Sequence, residues 1–298
     1  MKVIIADLFS QSSIKKLEEA KIEVIYDTKF KDAKLKEALA THNPDVLVVR
    51  STKVNKEAIS AAPNLKLIIR AGAGYDTIDF NFAASKSIKV ANCPGKNSTA
   101  VAELAIGLMI AIDRRIVENS GLLKAGKWNK AAYAKCKGIK GSTLGLIGLG
   151  FVGKNVAKIA LAMGMRVVAF DPSGKAPEGV ELVKSVDEVI AVSDTISLHC
   201  PSTSTTKGMI NASFLSRCKK DAYLINTARG DLVKDEDLLA HLDANKDFFY
   251  AADAWAGEPS AGTADFSSAL AKHPRVIGTH HIGASTVQAE AEIGEEAV

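Results

Sequence analysis

Short apolar runs rich in Val and Ile recur along the chain and alternate with longer polar stretches. Runs that are apolar on both faces are typical of parallel strands covered by helices on two sides. Each run ends in a turn residue or a polar residue, which bounds the predicted strands. The runs cover residues 2–9, 22–27, 45–51, 65–74, 88–95, 143–150, 166–171, 195–200, 222–230, 248–255 and 275–283.

The polar stretches between these runs are compatible with helices, so the pattern alternates strand and helix. This alternation predicts an α/β fold with a doubly wound parallel sheet, once in each part of the chain. A length of 298 residues also favours two domains. Residues 97–128 form a long helical pattern that we expect to link the domains. Two such domains create a cleft, and open parallel sheets bind ligands beyond the carboxyl ends of their strands.

Composition narrows the class of protein. The chain is 47% hydrophobic and 24% charged, with a net charge of +4, which is too mild to indicate nucleic-acid or membrane binding. No run reaches the roughly 18 apolar residues of a membrane span, and the first residues lack a signal-peptide pattern. Cys93, Cys136, Cys200 and Cys218 contain no CxxC pair. We therefore expect free thiols, no metal site and a cytoplasmic enzyme.

A glycine-rich turn at residues 143–171 carries the most specific local signal. Gly148, Gly150 and Gly153 form GxGxxG between a predicted strand and a predicted helix, and a second strand ends in Asp171, 18 residues after Gly153. This arrangement predicts dinucleotide binding, because the glycines admit a pyrophosphate and the acid accepts ribose hydroxyls. A 2′-phosphate would meet a like charge at Asp171, which favours NAD over NADP, although Lys175 lies close by. The alternative is a glycine-rich turn without a ligand.

Polar side chains follow three further predicted strands of the second part. Arg229 ends one strand, Asp253 and Glu258 follow the next, and His280 and His281 follow the last. Taken singly, these residues are typical of a surface ion pair, a turn and a capped core histidine. Taken together after a dinucleotide motif, they indicate hydride transfer to a 2-keto acid. A histidine can supply the proton, a carboxylate can orient it, and arginine can bind the substrate carboxylate in a bidentate manner.

The chain resembles the D-isomer-specific 2-hydroxyacid dehydrogenases over nearly its whole length. The segments that carry this resemblance are RSTKVN (50–55), RAGAGYDTID (70–79), NCPGKNSTAVAE (92–103), AGKW (125–128), GLGFVG (148–153), LHCP (198–201), NTARG (226–230), GEP (257–259) and HIGAST (281–286). Within the family, the segments are most similar to members that oxidise D-3-phosphoglycerate to 3-phosphohydroxypyruvate with NAD, the first step of phosphorylated serine biosynthesis. We therefore expect this reaction here.

The resemblance implies a role for each matching residue. His281 would be the acid/base, Glu258 would hydrogen-bond to it, and Arg229 would bind the substrate carboxylate. The implied substrate-binding positions are Arg50, Ser51, Lys53, Arg70, Ala73, Gly74 and Asn97. The implied cofactor-binding positions are Gly148, Gly150, Phe151, Val152, Gly153, Asp171, Cys200, Pro201, Thr206, Thr227, Ala228, Arg229, Asp253, His281, Gly283 and Ala284.

The resemblance also implies a domain arrangement. A smaller, flavodoxin-like substrate domain would comprise residues 1–95 and 283–298, and a Rossmann NAD-binding domain would comprise residues 96–282. The linking helix would form a two-fold interface, so a homodimer is expected. The chain ends where longer relatives carry regulatory domains, and serine feedback through such a domain is expected to be absent.

Three positions depart from the family pattern. His280 stands where Pro is usual, and the sequence assigns it no function beyond local packing or tuning its neighbour. Phe151 stands where a basic residue is frequent, so one phosphate contact is lost. Lys130 stands where the enzymes acting on phosphoglycerate tend to carry Arg.

The choice of substrate stays open between two readings. Arg50, Lys53 and Arg70 stand at strand ends of the first part and could bind a phosphate, with Lys130 or Lys135 contributing, or they could be ordinary surface charges. A hydroxypyruvate or glyoxylate reductase, or another D-2-hydroxyacid dehydrogenase, would need no phosphate cations. A more distant alternative is an NAD-sensing corepressor that binds peptide partners, since such relatives can retain the catalytic residues.

Overall fold

The computed structural model describes residues 1–74, 76–259 and 263–298. The chain forms two compact units, of which unit 1 comprises residues 1–97 and 284–298 and unit 2 comprises residues 98–283. The chain therefore passes from unit 1 to unit 2 after residue 97 and returns after residue 283.

Twelve strands and eleven α-helices are numbered in chain order over the described residues. The strands are β1 (Lys2–Ile5), β2 (Glu23–Tyr26), β3 (Val46–Val49), β4 (Leu67–Arg70), β5 (Lys89–Asn92), β6 (Thr143–Ile147), β7 (Arg166–Phe170), β8 (Val180–Leu182), β9 (Thr195–Leu198), β10 (Tyr223–Asn226), β11 (Phe249–Ala252) and β12 (Val276–Gly278). The helices are α1 (Gln11–Glu19), α2 (Ala33–His42), α3 (Lys56–Ser60), α4 (Phe80–Ser85), α5 (Ser98–Asp113), α6 (Ile116–Lys124), α7 (Phe151–Ala162), α8 (Val186–Val192), α9 (Ala212–Leu215), α10 (Asp235–Ala244) and α11 (Val287–Ala297).

Unit 1 is built on a five-stranded parallel sheet with the order β2-β1-β3-β4-β5. Strand β3 is buried throughout, and its side chains alternate between two hydrophobic cores. Leu47 and Val49 lie in one core, while Val46 and Val48 lie in the other. The continuous apolar run of β3 thus results from burial on both faces of the sheet.

Unit 2 is built on a seven-stranded parallel sheet with the order β12-β11-β10-β9-β6-β7-β8. Two cores again cover its faces, and β10 contributes Leu224 to one and Ile225 to the other. Because every strand is parallel, the carboxyl ends of all seven strands lie along one edge of the sheet. The prediction of a doubly wound parallel sheet in each part of the chain is confirmed.

The predicted helix over residues 97–128 is interrupted. Helix α5 ends at Asp113, and α6 begins only at Ile116, because Arg115 adopts a left-handed conformation with φ of 51°. The Arg115 guanidinium lies 4.8 Å from the centre of the Phe249 ring and pairs with Glu118. Local charge and ring contacts therefore end a helix that periodicity alone predicts to continue.

Two smaller features complete the fold. The edge strand β8 was not predicted, because the exposed Glu181 at its centre leaves no apolar run. Tyr75, within the quoted segment 70–79, lies outside the described residues. The longest helix, α5, has 16 residues, and none of the helices in the described ranges is long and apolar enough to span a membrane.

Candidate active site

The glycine-rich turn joins β6 to α7 in a conformation that only glycine allows. Gly148 has φ of +102°, and a Cβ there would lie 2.6 Å from the carbonyl oxygen of His199. A Cβ on Gly153 would lie 2.2 Å from the carbonyl oxygen of Gly148, which would force helix and strand apart. A Cβ on Gly150 would meet open space. The turn is therefore tight on its inner side and open above the start of α7.

The start of α7 and the end of β7 provide two complementary groups. Phe151 is the first residue of α7 and is 63% exposed, and the N–H groups of this first helical turn have no partner within the helix. Asp171 follows β7, and its carboxylate accepts hydrogen bonds from the N–H of Leu149 at 2.7 Å and the N–H of Ser173 at 2.9 Å. Desolvation opposes ionisation of Asp171, but hydrogen bonds with the Ser173 side chain and with these two N–H groups outweigh it and lower its pKa. The turn thus offers donors for phosphates and an ionised acceptor for hydroxyls.

Strands β9 and β10 extend this surface. Cys200 and Pro201 follow β9, and the hydroxyl of Thr206 donates to the carbonyl of Pro201 at 2.6 Å. Burial lowers the pKa of His199 to about 4, so this ring under the turn is neutral at physiological pH. Thr227 is 8% exposed, and its hydroxyl has no hydrogen-bond partner among the described residues. Such an orphaned hydroxyl after β10 fits a polar group of a dinucleotide.

Arg229 is presented by a turn that a buried asparagine shapes. Asn226, the last residue of β10, is fully buried, and its amide donates to the carbonyl of Arg229 at 2.8 Å. The same amide accepts a hydrogen bond from the N–H of Ala228 at 3.1 Å. These two bonds close the turn over the strand end. The turn therefore fixes the backbone of Arg229 and so the direction of its side chain.

Asp253 anchors the turn that carries the histidines. It directly follows β11 and is 1% exposed. Its carboxylate accepts three hydrogen bonds, from the hydroxyl of Thr279 at 2.6 Å and from the N–H groups of Ile282 and Gly283 at 2.8 Å each. Its carbonyl accepts a fourth bond, from the N–H of His281 at 2.8 Å. These bonds hold His281 with φ of 53°, a left-handed conformation that is uncommon outside glycine.

His281 and Glu258 form a hydrogen-bonded pair, with 2.5 Å between Nδ1 and Oε1. The other oxygen of Glu258 accepts from the N–H of Trp255 at 3.0 Å. The hydrogen bond that His281 donates to Glu258 raises the pKa of His281 above its ordinary value of 6.5, against an opposing effect of burial. Desolvation raises the pKa of Glu258, but the bonds from His281 and Trp255 outweigh this and lower it. The pair therefore consists of an ionised carboxylate and an imidazole that titrates above its usual range.

Trp255 supports both ends of this pair, Glu258 through its backbone N–H and the histidine turn through its indole. Its Nε1 donates to the carbonyl of Thr279 at 2.8 Å, directly before the two histidines. A Cβ on Gly278 would lie 2.1 Å from the indole, so the ring is packed tightly against the end of β12. His280 is exposed, as His281 is, and it is not part of the pair.

In unit 1, polar side chains lie at the carboxyl ends of β3 and β4. Arg50, Ser51 and Lys53 follow β3, and the Arg50 guanidinium donates to the carbonyl of Ala284 at 3.1 Å. Arg70 is the last residue of β4, and its guanidinium lies against Gly72.

The remaining positions predicted for substrate binding lie near these strand ends or at the end of the first segment. Ala73 and Gly74 follow β4, and the carbonyl of Ala73 accepts a hydrogen bond from the Asn92 side chain at 2.5 Å. Asn97 is the last residue of the first segment of unit 1. Lys130 and Lys135 are exposed in the segment after α6.

Sequence reasoning assigned no role to Asn226, Thr279 or Asp7, although each holds a loop that carries predicted site residues. Asn226 lies in the quoted NTARG segment, and Asp7 is an acid inside the first apolar run of the chain. The sequence does show an acid or an amide within an apolar run in these two cases. Such a buried polar group requires hydrogen-bond partners, so its position could have indicated a loop-holding role.

Comparison with known proteins agrees with this arrangement. The model of the NAD binding domain of the D-isomer specific 2-hydroxyacid dehydrogenases matches residues 106–283. The chain is 44% identical to a hydroxypyruvate reductase of Thermotoga maritima over 256 residues, which cover 85% of this chain and 82% of that protein. It is 38% identical to a D-3-phosphoglycerate dehydrogenase of Methanocaldococcus jannaschii over 99% of this chain, and it spans 55% of that longer relative.

A solved structure extends the likeness to the whole fold. The NAD⁺-bound 3-phosphoglycerate dehydrogenase of Entamoeba histolytica superposes with a TM-score of 0.83 at 31% identity, covering 100% of this chain and 92% of that one. The cofactor of the chain is NAD, in accord with the glycine turn, Asp171 and the orphaned Thr227 hydroxyl. The chain belongs to the D-isomer specific 2-hydroxyacid dehydrogenases.

Proposed function

We propose that the chain interconverts a three-carbon D-2-hydroxy acid and its 2-keto acid, with His281 as the acid/base. The observation that carries this proposal is the pair of His281 and Glu258, because a histidine held by an ionised carboxylate is suited to exchange a proton near neutral pH. NAD, when bound, supplies the acceptor or the donor of the hydride.

The chemistry follows from the orientation of the ring. Nδ1 of His281 faces Glu258, which leaves Nε2 to exchange a proton with the substrate. In oxidation, Nε2 takes the proton of the C2 hydroxyl while the hydrogen on C2 departs with its electron pair. In reduction, the protonated ring returns that proton to the ketone oxygen as C2 gains a hydride. Glu258 stabilises the imidazolium, and Asp253 keeps the ring at the site through the turn that it anchors.

Further residues bind and orient the two ligands in this proposal. Arg229 binds the substrate carboxylate, assisted by the backbone of Ala73 and Gly74. Thr227, Ala228 and Asp253 would hold the nicotinamide half of NAD. The adenosine side would be held by Asp171, Cys200, Pro201 and Thr206, and the pyrophosphate by Gly148, Gly150, Phe151, Val152 and Gly153.

The proposed substrate is D-3-phosphoglycerate, which is oxidised to 3-phosphohydroxypyruvate. Three cations support this choice, because Arg50, Lys53 and Arg70 stand at the ends of the neighbouring strands β3 and β4. Two arginines can bind a phosphate in a bidentate manner. The second candidate is reduction of hydroxypyruvate, which lacks only the phosphate. It is favoured by the 44% identity to the Thermotoga maritima hydroxypyruvate reductase.

We propose further that the chain forms a homodimer through α6 and the segment after it. Every residue of α6 is at least partly exposed. Apolar side chains on this surface include Val117, Leu123 and Trp128, which are 57%, 59% and 81% exposed. A second copy of the chain would bury these side chains, as a two-fold interface presents the same surface twice.

Replacing the proposed acid/base tests the mechanism. His281→Asn should lower kcat by a factor of about 100 or more, the usual scale of general acid–base catalysis. The affinity for NADH should stay unchanged, since the glycine turn is intact. The matched control is His280→Asn, which should retain most of its activity. Steady-state kinetics and fluorescence titration with NADH measure both quantities, and the opposite ranking of the two variants would contradict the assignment.

The pH profiles test the pairing with Glu258. Oxidation requires neutral His281 and should rise with pH through its pKa, whereas reduction requires the protonated ring and should fall. Glu258→Gln removes the group that raises this pKa, so both limbs should move to lower pH. Glu181→Gln, which alters an exposed ion pair with Arg166, is the control and should leave the profiles in place. Unmoved limbs in Glu258→Gln would show that the pair does not set the pKa.

A substrate panel decides between the two candidate substrates. The double variant Arg50→Ala and Arg70→Ala should lower kcat/KM for 3-phosphohydroxypyruvate about 100-fold or more, because two charge-assisted contacts are lost. Its kcat/KM for hydroxypyruvate should fall far less. The double variant Lys29→Ala and Lys34→Ala removes the same charge elsewhere in unit 1 and serves as control. Full efficiency on the phosphorylated substrate in the arginine variant would favour hydroxypyruvate.

Sedimentation velocity tests the homodimer. The wild-type chain should sediment as a dimer at micromolar concentration, and Leu123→Glu combined with Trp128→Glu should sediment as a monomer, because charges would be buried in the interface. Val287→Glu places the same charge on a side chain that is 83% exposed on α11 and should remain dimeric. A monomeric wild type would refute the proposed interface.

A further inference from the structure

Asp7 is a buried acid that the proposed reaction leaves without a role. It follows β1 after one residue and is 5% exposed. One carboxylate oxygen, Oδ2, accepts hydrogen bonds from three successive N–H groups, those of Arg50 at 2.6 Å, Ser51 at 2.9 Å and Thr52 at 3.0 Å. The other oxygen, Oδ1, accepts from the hydroxyls of Ser51 at 3.1 Å and Thr52 at 2.9 Å. Asp7 thus receives five hydrogen bonds from three consecutive residues.

This arrangement is an anion site that the protein fills with its own carboxylate. Successive N–H groups that converge on one point form a concavity with positive potential. Desolvation opposes ionisation of Asp7, but the bonds from Arg50, Thr52 and Ser51 outweigh it, and its pKa lies below the ordinary value. Asp7 is therefore ionised at neutral pH, and its hydrogen bonds to the loop are charge-assisted and so stronger than those of a neutral acceptor.

The loop that Asp7 holds carries the residues proposed to bind the substrate anion. Strands β1 and β3 are neighbours in the sheet of unit 1, so their carboxyl ends bring Asp7 and Arg50 together. The backbone at Arg50 is pinned by Asp7, and its guanidinium donates to the carbonyl of Ala284. The backbone and the guanidinium of Arg50 are therefore both held by hydrogen bonds, which restricts the position of its side chain.

We infer that Asp7 is a positioning residue, which presents Arg50, Ser51 and Lys53 to the anionic substrate by holding the backbone of residues 50–52. This inference rests on the proposed function, because it concerns the same substrate site. The charge of Asp7 does not attract the substrate, since two anions repel each other. The contribution of Asp7 to substrate binding is therefore geometric.

Two substitutions separate geometry from charge. In Asp7→Asn, the amide oxygen can accept the three N–H groups, and the amide nitrogen can donate to the hydroxyls of Ser51 and Thr52, which rotate to accept. This variant removes the charge but keeps all five contacts. Asp7→Ala removes the charge and the contacts together. A geometric role predicts that the alanine variant is impaired and that the asparagine variant is largely rescued.

The experiment measures KM and kcat for 3-phosphohydroxypyruvate and hydroxypyruvate at saturating NADH, together with the Kd of NADH. Asp7→Ala should raise KM at least about tenfold for the substrate that the wild type uses, while kcat and the NADH affinity change less than about threefold. Asp7→Asn should stay within about threefold of wild type in all three quantities.

The matched control is Asp45→Ala, at the opposite end of β3. Asp45 also holds backbone, accepting from the N–H of Lys2 at 2.9 Å, and it pairs with Lys66 at 2.8 Å. This variant should lower Tm without changing KM, because it touches no residue of the substrate loop. An equal rise of KM in Asp45→Ala would show that general destabilisation explains the effect, and the inference would fail.

Two other outcomes would overturn the inference. One is an unchanged KM in Asp7→Ala, and the other is a KM in Asp7→Asn that rises as much as in Asp7→Ala. If Asp7→Ala does not fold, Thr52→Val removes one of the five donors and should raise KM about two- to fivefold, and an unchanged KM would again contradict it. An inactive wild type would instead refute the proposed function, which distinguishes the two failures.

Discussion

The carboxylate of Asp253 makes the contacts on which the arrangement of the site depends. It is buried at the end of β11, and it holds the turn after β12 through the hydroxyl of Thr279 and the N–H groups of Ile282 and Gly283. The backbone of His281 is thereby kept in a left-handed conformation that a side chain rarely adopts without support. In that position the ring meets Glu258.

The same device recurs at two other strand ends. Asn226 closes the turn that presents Arg229, and Asp7 closes the loop that presents Arg50. In each case a side chain anchored in a parallel sheet satisfies the backbone of a loop that carries functional groups. The sheets are rigid and covered on both faces, so their carboxyl ends are fixed points. One buried acceptor thus fixes the position of a loop, and of the functional groups it carries, relative to the sheet.

The sequence was sufficient for the parts of the fold that depend on local pattern. Apolar runs located eleven of the strands, and the glycine turn required only spacing and a following acid. The partners of Asp253 and Asp7 were beyond the sequence, because they follow neighbouring strands that are distant in the chain. Arg115 shows the same limit, since contacts with Phe249 and Glu118 end a helix whose periodicity continues. The positions of strands along the chain could be inferred from the sequence pattern, whereas the partners of individual side chains could be identified only from the fold.

We propose that Glu258 and the Asp253 turn prepare His281 to exchange a proton. NMR titration of the His281 imidazole in the wild-type chain tests this claim most directly, since it reports the ring itself and not the overall rate. We predict a pKa above the ordinary value of 6.5, with the proton on Nδ1 retained in the neutral form. A pKa at or below 6.5 would contradict the account, because the carboxylate would then have no hold on the ring.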